Sequence, residues 1–125
     1  MASGFRLASL GLALAVVATV HADEGVTDYV DADRKSTIAL AQDIWQFAEM
    51  GYLETQSTAR LQAYLQRQGF DVRIALAGMP TSFVATYGVG QPVIGILAEF
   101  DALPGLSQTA KPAREARIDD APGHA

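Results

Sequence analysis

The pattern of hydrophobic and polar positions predicts a first helix that begins at Ser36. Apolar side chains recur there at intervals of three and four residues, the spacing of one helix face. That face consists of Ile38, Ala41, Ile44, Trp45 and Ala48, widened by Leu40 and Phe47. The opposite, polar face consists of Gln42, Asp43, Gln46 and Glu49. An apolar stripe of this width suits packing on a sheet, and Gly51 is expected to end or kink the helix.

A second helix is predicted where residues that can cap a helix precede another apolar face. Either Thr55 or Ser57 can supply the N-cap oxygen, and Gly69 suits the left-handed residue that ends a helix. The apolar face consists of Leu61, Tyr64 and Leu65. We expect Tyr64, together with Trp45 and Phe47 of the first helix, to lie in the core.

Three strands are predicted after the second helix. Residues 70–76 alternate between apolar and polar, which is typical of a strand with one wet face. Residues 81–87 are rich in β-branched and aromatic side chains. Residues 93–97 are continuously apolar or glycine, which favours a central strand covered on both faces. Residues 109–125 show no periodicity and are predicted to form an irregular loop.

These elements predict an α/β fold with two helices followed by three strands. A central third strand needs neighbours on both sides and helices on both faces, and two helices cover only one face well. The long loop predicted after the third strand has three explanations. The loop is functional, or the assignment of helices and strands is wrong, or the chain is incomplete. The element pattern by itself leaves these three explanations open.

The first 22 residues have the pattern of a secretory signal peptide. Arg6 precedes an apolar run of 14 residues, 7–20, and the small residues Val20 and Ala22 suit cleavage before Asp23. The run is shorter than the roughly 20 residues that cross a bilayer core. An uncleaved anchor and a buried helix are the alternatives. We therefore expect an exported protein, periplasmic or secreted, in which residues 23–35 form a polar lead-in.

Charge and cysteine content exclude several classes of function. The formal net charge is −5 and the chain contains no cysteine. An acidic chain without a basic cluster is not expected to bind nucleic acid, or a membrane beyond its export. Without cysteine, the chain has no disulfide scaffold, no thiolate zinc site and no cysteine nucleophile.

Two acidic residues at the end of the third predicted strand are candidates for a site. Glu99 and Asp101 flank Phe100, so in a continued strand both side chains lie on one side. Ligands of open α/β sheets bind at the carboxyl ends of strands. Two carboxylates about 6 to 7 Å apart can share a cation, orient a metal-bound histidine or divide acid and base roles. Alternatively, they simply end the strand in solvent.

His124 is the one histidine that remains after removal of the predicted signal peptide. A zinc site needs three or four protein ligands, so a single histidine cannot form one. Taken alone, His124 is expected to be a solvated residue. The serines lie in no G-x-S-x-G motif, and no phosphate-binding loop occurs.

Two unusual strings, GMPTSF at residues 78–83 and GILAEFDALPGLSQ at residues 95–108, carry a resemblance. Together with AEMGYLETQSTARLQAYLQRQGFDV before them, they resemble zinc-dependent amidohydrolases of the aminoacylase and carboxypeptidase metallopeptidase superfamily. The similarity is strongest to the branch that contains the aminobenzoyl-glutamate hydrolase subunits. It covers residues 38–108 and returns at PGHA, residues 122–125.

The resemblance implies a zinc-exopeptidase-like catalytic sandwich that holds two divalent metal ions, Zn or Mn. We therefore expect the chain to be incomplete, with residues 36–125 as the N-terminal portion of this catalytic domain. A smaller lid domain interrupts the sandwich and supports dimer contacts, so a homodimer is possible for the complete protein. The implied reaction is hydrolysis of an amide bond by a metal-bound water, with a glutamate as general base. The implied substrates are small molecules: N-acyl amino acids, aminobenzoyl-glutamate-like conjugates or dipeptides.

Residue by residue, the resemblance transfers little. Asp101 matches a catalytic-site aspartate that orients a metal ligand. Glu99 stands where the carboxypeptidase branch has a metal-binding histidine, so a ligand role is not transferred. His124 matches the first histidine of a Gly-His-x-Cys-Gly-His string in which the cysteine and the second histidine bind metal. We therefore assign no metal ligand, and we expect this chain to bind the ions poorly and to be inactive by itself.

A different class of function remains open. The chain could be a short secreted module that binds a ligand or partner on the same α/β scaffold without catalysis. Such a module should unfold in one cooperative thermal transition, whereas the N-terminal portion of a larger domain should be molten or aggregate.

Overall fold

A computed structural model describes residues 24–124 of the chain. The predicted signal peptide, residues 1–22, lies outside the described residues. The elements are α1 (Glu24–Phe47), α2 (Thr55–Arg67), β1 (Asp71–Ile74), a short 3-10 turn (Leu76–Gly78) and β2 (Phe83–Thr86). Helices combined with a small sheet agree with the predicted α/β class. No described helix is long and apolar enough to cross a membrane.

Helix α1 begins twelve residues earlier than its apolar pattern predicted, so the predicted polar lead-in is helical as far as it is described. Side chains in this part of the helix are mostly exposed, so burial does not explain why it is helical. Once a helix exists, each residue added to its end gains one backbone hydrogen bond, which favours the extension. Two contacts support it. Arg34 pairs with Asp31 at 2.7 Å, and the hydroxyl of Tyr64 on α2 donates a hydrogen bond to Asp33.

The ends of the helices depart from the predicted ones. Helix α1 ends at Phe47, and Ala48, not Gly51, adopts the left-handed conformation, with φ of 48°. Gly51 lies in the turn that follows. At the far end of α2, Gly69 has φ of 88°, which confirms the predicted left-handed stop.

The sheet is a two-stranded antiparallel hairpin. Strand β1 pairs with β2 from Asp71 opposite Thr86 to Ile74 opposite Phe83. The hydroxyl of Ser82 closes the turn between the strands, because it accepts a hydrogen bond from the N–H of Leu76 at 2.9 Å. Helix α2 packs on both strands and on α1, and an ion pair of 2.7 Å joins its Arg60 to Asp43 of α1.

The predicted third strand does not form among the described residues, so that prediction was wrong. Residues 93–97 have no helix or strand assignment and no backbone hydrogen bond to another described segment. Ile96 is 91% exposed and Leu97 is 90% exposed. A run of apolar residues indicates that a segment is suited to burial. To form a strand, the segment also needs a neighbouring segment whose backbone N–H and carbonyl groups are free to pair with it. After this segment, Phe100 returns to contact Phe83, with ring centroids 6.3 Å apart.

The apolar core of the described residues is small. Its buried hydrophobic side chains are Leu40, 7% exposed, and Ala102, 2% exposed. Trp45, Phe47 and Tyr64, which were expected in the core, are only partly buried. The described residues therefore enclose little apolar surface completely.

Candidate functional site

Two short backbone pairings connect the segments that carry two of the predicted site residues, Asp101 and His124. Ala102 pairs in parallel with Met50, and its N–H donates to the carbonyl of Glu49 at 2.8 Å. The next residue, Leu103, pairs antiparallel with Gly123 through two hydrogen bonds of 3.0 Å. Asp101 therefore precedes these pairings directly, and His124 follows them directly. Sequence spacing alone had left these two residues unrelated.

Residues 102–108 and 117–124, which we call the clasp, are held together further along by Ser107. Its N–H donates to the carbonyl of Ala121 at 3.2 Å, and its hydroxyl accepts from the N–H of Ile118 at 3.2 Å. The backbones approach so closely that a Cβ on Gly123 would lie 2.4 Å from the Cα of Ser107. The clasp therefore requires glycine at position 123. It also accounts for Ser107 as a structural residue.

Asp101 offers a free carboxylate at the start of the clasp. The residue is exposed and forms no hydrogen bond or ion pair within residues 24–124. Its Oδ2 lies 3.6 Å from where a Cβ on Gly51 would be, so the carboxylate lies beside the turn after α1. This carboxylate can accept hydrogen bonds from a ligand or from a further protein group.

Glu99 is separate from this arrangement. It is exposed and makes no hydrogen bond or ion pair with another described residue. The expectation that Glu99 and Asp101 share one side depended on a continued strand, and the described residues form no strand there. The structure therefore joins Asp101 to the region of His124 and leaves Glu99 in solvent.

His124 is not the solvated residue that was expected from sequence alone. It is partly buried, and its Nε2 is shielded from solvent without a hydrogen-bond partner among the described residues. Imidazole nitrogens are strong hydrogen-bonding groups, and a shielded one without a partner is costly. The surroundings of His124 therefore bury this nitrogen without satisfying it.

A dinuclear metal site does not fit the described residues. No group of three or more histidine, cysteine, aspartate or glutamate side chains within residues 24–124 is placed to hold a metal ion. Asp101 and Glu99 are both exposed and make no described side-chain contact with each other. We therefore assign no ion to this part of the chain and derive no chemical step through one.

Glu49 is a structural residue that the sequence pattern missed, because periodicity placed it on the solvent face of the first helix. Its carboxylate instead caps α2, accepting the N–H groups of Gln56 at 2.9 Å and Ser57 at 2.8 Å. The hydroxyl of Thr55 also donates to it, at 3.1 Å. The predicted caps, Thr55 and Ser57, are thus donors to a carboxylate six to eight residues earlier.

The environment of Glu49 favours its ionised form. Burial is the largest single influence and raises the pKa of Glu49. The hydrogen bonds donated by the backbone of Gln56 and Ser57 act in the opposite direction, and the net result lowers the pKa from 4.5 to about 2. The turn after α1, which also contacts Ala102 of the clasp, is therefore fixed to the start of α2 by an anion.

A cleft opens between the end of α1 and the clasp, with a volume of about 220 Å³. Its lining includes Trp45, Phe47, Arg117, Pro122 and His124. The guanidinium of Arg117 lies over the ring of Trp45, 5.0 Å from its centroid. Arg117 and Trp45 had not been considered as site residues, since neither belongs to a motif.

The chain is similar to a subunit of p-aminobenzoyl-glutamate hydrolase from Escherichia coli (strain K12), with 39% identity over 85 residues. The chain is therefore related to this hydrolase. The match covers 68% of this chain, and this chain spans 18% of the length of that relative. It confirms the predicted relationship to the aminobenzoyl-glutamate hydrolase subunits, while the zinc-dependent superfamily remains a prediction. No protein-family model matches the chain.

Proposed function

We propose that this chain acts as the N-terminal part of an amidohydrolase. The proposed substrates contain an amide bond to an amino acid: p-aminobenzoyl-glutamate-like conjugates, other N-acyl amino acids or dipeptides. The observation that carries the proposal is the 39% identity over 85 residues to a subunit of p-aminobenzoyl-glutamate hydrolase. The clasp supports it, because it joins the region of Asp101 to that of His124 in space.

Within this proposal, Asp101 is a positioning residue. Its free carboxylate lies beside the turn at Gly51, where it can accept a hydrogen bond from a neighbouring group and fix that group's orientation. Divalent metal ions in the complete protein would polarise the amide carbonyl and acidify a water molecule. We assign no residue of this chain to such ions. A homodimer is likewise a proposal for the complete protein.

We also propose that the protein is exported by residues 1–22, with a mature chain that begins at Asp23. The support is the apolar run after Arg6 and the small residues before Asp23. N-terminal sequencing of the protein recovered from periplasm or medium tests this proposal. A recovered chain that still begins at Met1 would show that the segment is not removed.

The activity is tested in a chimera of the E. coli relative in which residues 38–125 of this chain replace the corresponding segment. Combined with the rest of that hydrolase, the chimera should release p-aminobenzoate from p-aminobenzoyl-glutamate. Asp101→Asn should lower kcat by about 10-fold to 100-fold, the usual effect of losing a group that orients a metal ligand. Glu99→Gln is the matched control, and we expect its kcat to stay within about 2-fold, because Glu99 is exposed and forms no hydrogen bond or ion pair with another described residue.

The outcomes separate the parts of the proposal. A folded chimera that releases no product contradicts the proposed activity. An active chimera in which Asp101→Asn matches the parent contradicts the role of Asp101 alone. The 125-residue chain with added Zn²⁺ or Mn²⁺ should show no turnover, and measurable turnover would show that these residues suffice for catalysis.

A further inference from the structure

Residues 93–97 form an uncharged, exposed segment that is paired with no other described part of the chain. Its four large side chains are all exposed: Val93, Ile94, Ile96 and Leu97. Among residues 24–124, no backbone hydrogen bond joins this segment to another one. Exposed apolar side chains and free backbone groups together favour the addition of a strand. The segment therefore lacks both a covering surface and a backbone partner.

The order of its residues makes the segment complementary to a second copy of itself. In an antiparallel pair centred on Gly95, Ile94 of one copy lies opposite Ile96 of the other. Val93 likewise lies opposite Leu97. Side chains directly opposite each other in an antiparallel pair lie about 4.5–5.5 Å apart, and aliphatic pairs at that distance stabilise the sheet. A two-fold axis at Gly95 thus gives every large side chain of the segment an apolar partner.

The charges that flank the segment favour this antiparallel arrangement over a parallel one. Glu99 and Asp101 both follow the segment, and the nearest charge before it is at Arg73. A parallel pair in register places Glu99 opposite Glu99, and like charges directly opposite each other are destabilising. An antiparallel pair centred on Gly95 separates the two copies of Glu99 by about 27 Å along the strands. That separation exceeds the Debye length of about 8 Å at physiological ionic strength, so the repulsion is screened.

Pro92 determines which backbone groups can face the second copy. In an antiparallel pair, residues that exchange hydrogen bonds with the partner alternate with residues that face away. When Gly95 exchanges hydrogen bonds, Val93 and Leu97 do so as well, and Pro92 faces away. The missing N–H of Pro92 then costs the pair nothing. On the outer edge it also hinders the addition of a third strand, so that assembly stops at two copies.

We propose that residues 93–97 of two copies pair antiparallel about Gly95 and form a two-fold symmetric dimer. The inference goes beyond the proposed amide hydrolysis and does not depend on it, because pairing requires neither a substrate nor a metal ion. It is also distinct from the lid-domain dimer contacts that the resemblance implies, because it uses residues of this chain. Pairing can therefore fail while hydrolysis succeeds, and the reverse.

The first test is a disulfide at the two-fold axis. The chain contains no cysteine, so one introduced cysteine reports its distance from the same residue of the other copy. Gly95→Cys is suitable because a Cβ at Gly95 meets no atom within 4 Å. The Cα atoms of a hydrogen-bonded pair lie about 5.5 Å apart, within the range of about 4.4–6.8 Å that a disulfide spans. Mild oxidation of the 125-residue chain with Gly95→Cys should therefore yield a disulfide-linked dimer.

Ala98→Cys is the matched control, since Ala98 is also exposed and lies three residues further along the same stretch. In the antiparallel dimer the two copies of residue 98 are about 20 Å apart along the strands. We therefore expect Ala98→Cys to form the disulfide at least about tenfold more slowly than Gly95→Cys. Equal rates would indicate random collision or parallel pairing in register, and either would overturn the proposal.

The second test uses the unsubstituted chain and follows amide hydrogen exchange as its concentration rises. The N–H groups of Val93, Gly95 and Leu97 should exchange at least about tenfold more slowly in the dimer. Those of Ile94 and Ile96 face away from the partner and should keep their rates. Equal slowing of all five amides would show apolar association without this pairing and contradict the proposal.

Sedimentation velocity on the same samples gives the size of the assembly. We expect a dimer, with no larger species, over the concentrations at which exchange slows. Species larger than a dimer would overturn the blocking role of Pro92 and the closed symmetry with it. A chain that remains monomeric up to about 1 mM would have too little affinity for the proposed pairing and would overturn it as well.

Discussion

Glu49 shows how one side chain can determine a local arrangement. Its carboxylate accepts the free N–H groups at the start of α2, and its carbonyl accepts the N–H of Ala102 from the clasp. The first N–H groups of any helix lack partners within the helix, and an anion there also interacts favourably with the helix dipole. The residue therefore connects the turn after α1 to two other segments.

Glu49→Gln should loosen the start of α2 by about 1 kcal/mol, as the loss of a helix cap does. The amide of glutamine offers one acceptor oxygen, whereas the carboxylate uses both of its oxygens. We expect faster amide hydrogen exchange at Gln56 and Ser57. Glu99→Gln removes the same charge from an exposed residue that forms no hydrogen bond or ion pair with another described residue, so it should leave the exchange of these amides unchanged.

The same residue predicts a pH dependence. The pKa of Glu49 lies near 4.5 in the unfolded chain and at about 2 in the folded one. The stabilisation by the ionised carboxylate is therefore complete above about pH 4.5 and is lost as the pH falls towards 2. Protection of Gln56 and Ser57 should fall across this window. Unchanged protection at pH 2 would show that the cap does not depend on the charge.

At the scale of elements, residues 93–97 are the exception to an otherwise connected structure. Each helix and strand before them has a partner, but this apolar segment lies exposed to solvent. An exposed segment of this kind presents free backbone N–H and carbonyl groups as well as apolar side chains, which together favour pairing between chains.

We expect the chain to associate with rising concentration, and Ile96→Lys to reduce that association. Because Ile96 is 91% exposed, the change should alter stability within about 0.5 kcal/mol. Sedimentation velocity at several concentrations measures the association. Val26→Lys is the matched control: Val26 is 60% exposed on α1, so the same charge is added outside the segment. Equal effects of both changes would mean that net charge controls association.

At the scale of the whole molecule, the small core determines how the chain should unfold. Leu40 and Ala102 are its buried hydrophobic side chains among the described residues, and large apolar side chains on α1 and in the later loops are exposed. Burial of apolar surface is the main favourable term in folding, so a chain with little of it gains little cooperativity.

A calorimetric scan of the 125-residue chain should show a broad transition with an enthalpy well below the roughly 60–80 kcal/mol typical of a compact domain of 100 residues. Dye binding to exposed apolar surface should be detectable before the transition. A sharp transition with the full enthalpy would favour a self-contained ligand-binding module over the N-terminal part of a larger enzyme.

The features that could be predicted from sequence are local ones. Both helices, the left-handed Gly69 and the two strands of the hairpin follow from spacing and turn residues within a few positions. The ends of the helices were less predictable. The cap of α2 comes from Glu49, which belongs by periodicity to the preceding helix, and no pattern within α2 reports it.

In the candidate site, too, some residues could be predicted from sequence and others could not. Asp101 was identified from its place at the end of the third predicted strand, and His124 as the one histidine after the predicted signal peptide; both also match motifs of the resembled family. No single motif predicts the cleft of Trp45, Arg117 and His124, since its residues come from separate segments that meet only in the folded chain.

The sequence by itself determined the helices, the first two strands and the relationship to a hydrolase, because these depend on the order and type of neighbouring residues. Tertiary structure decided three other features: the capping role of Glu49, the approach of Asp101 towards His124, and the exposure of residues 93–97. Each of these depends on whether a distant segment supplies a hydrogen-bond partner or a covering surface. Periodicity indicates that a side chain is suited to burial or to solvent, but only the folded chain determines which distant segment contacts it.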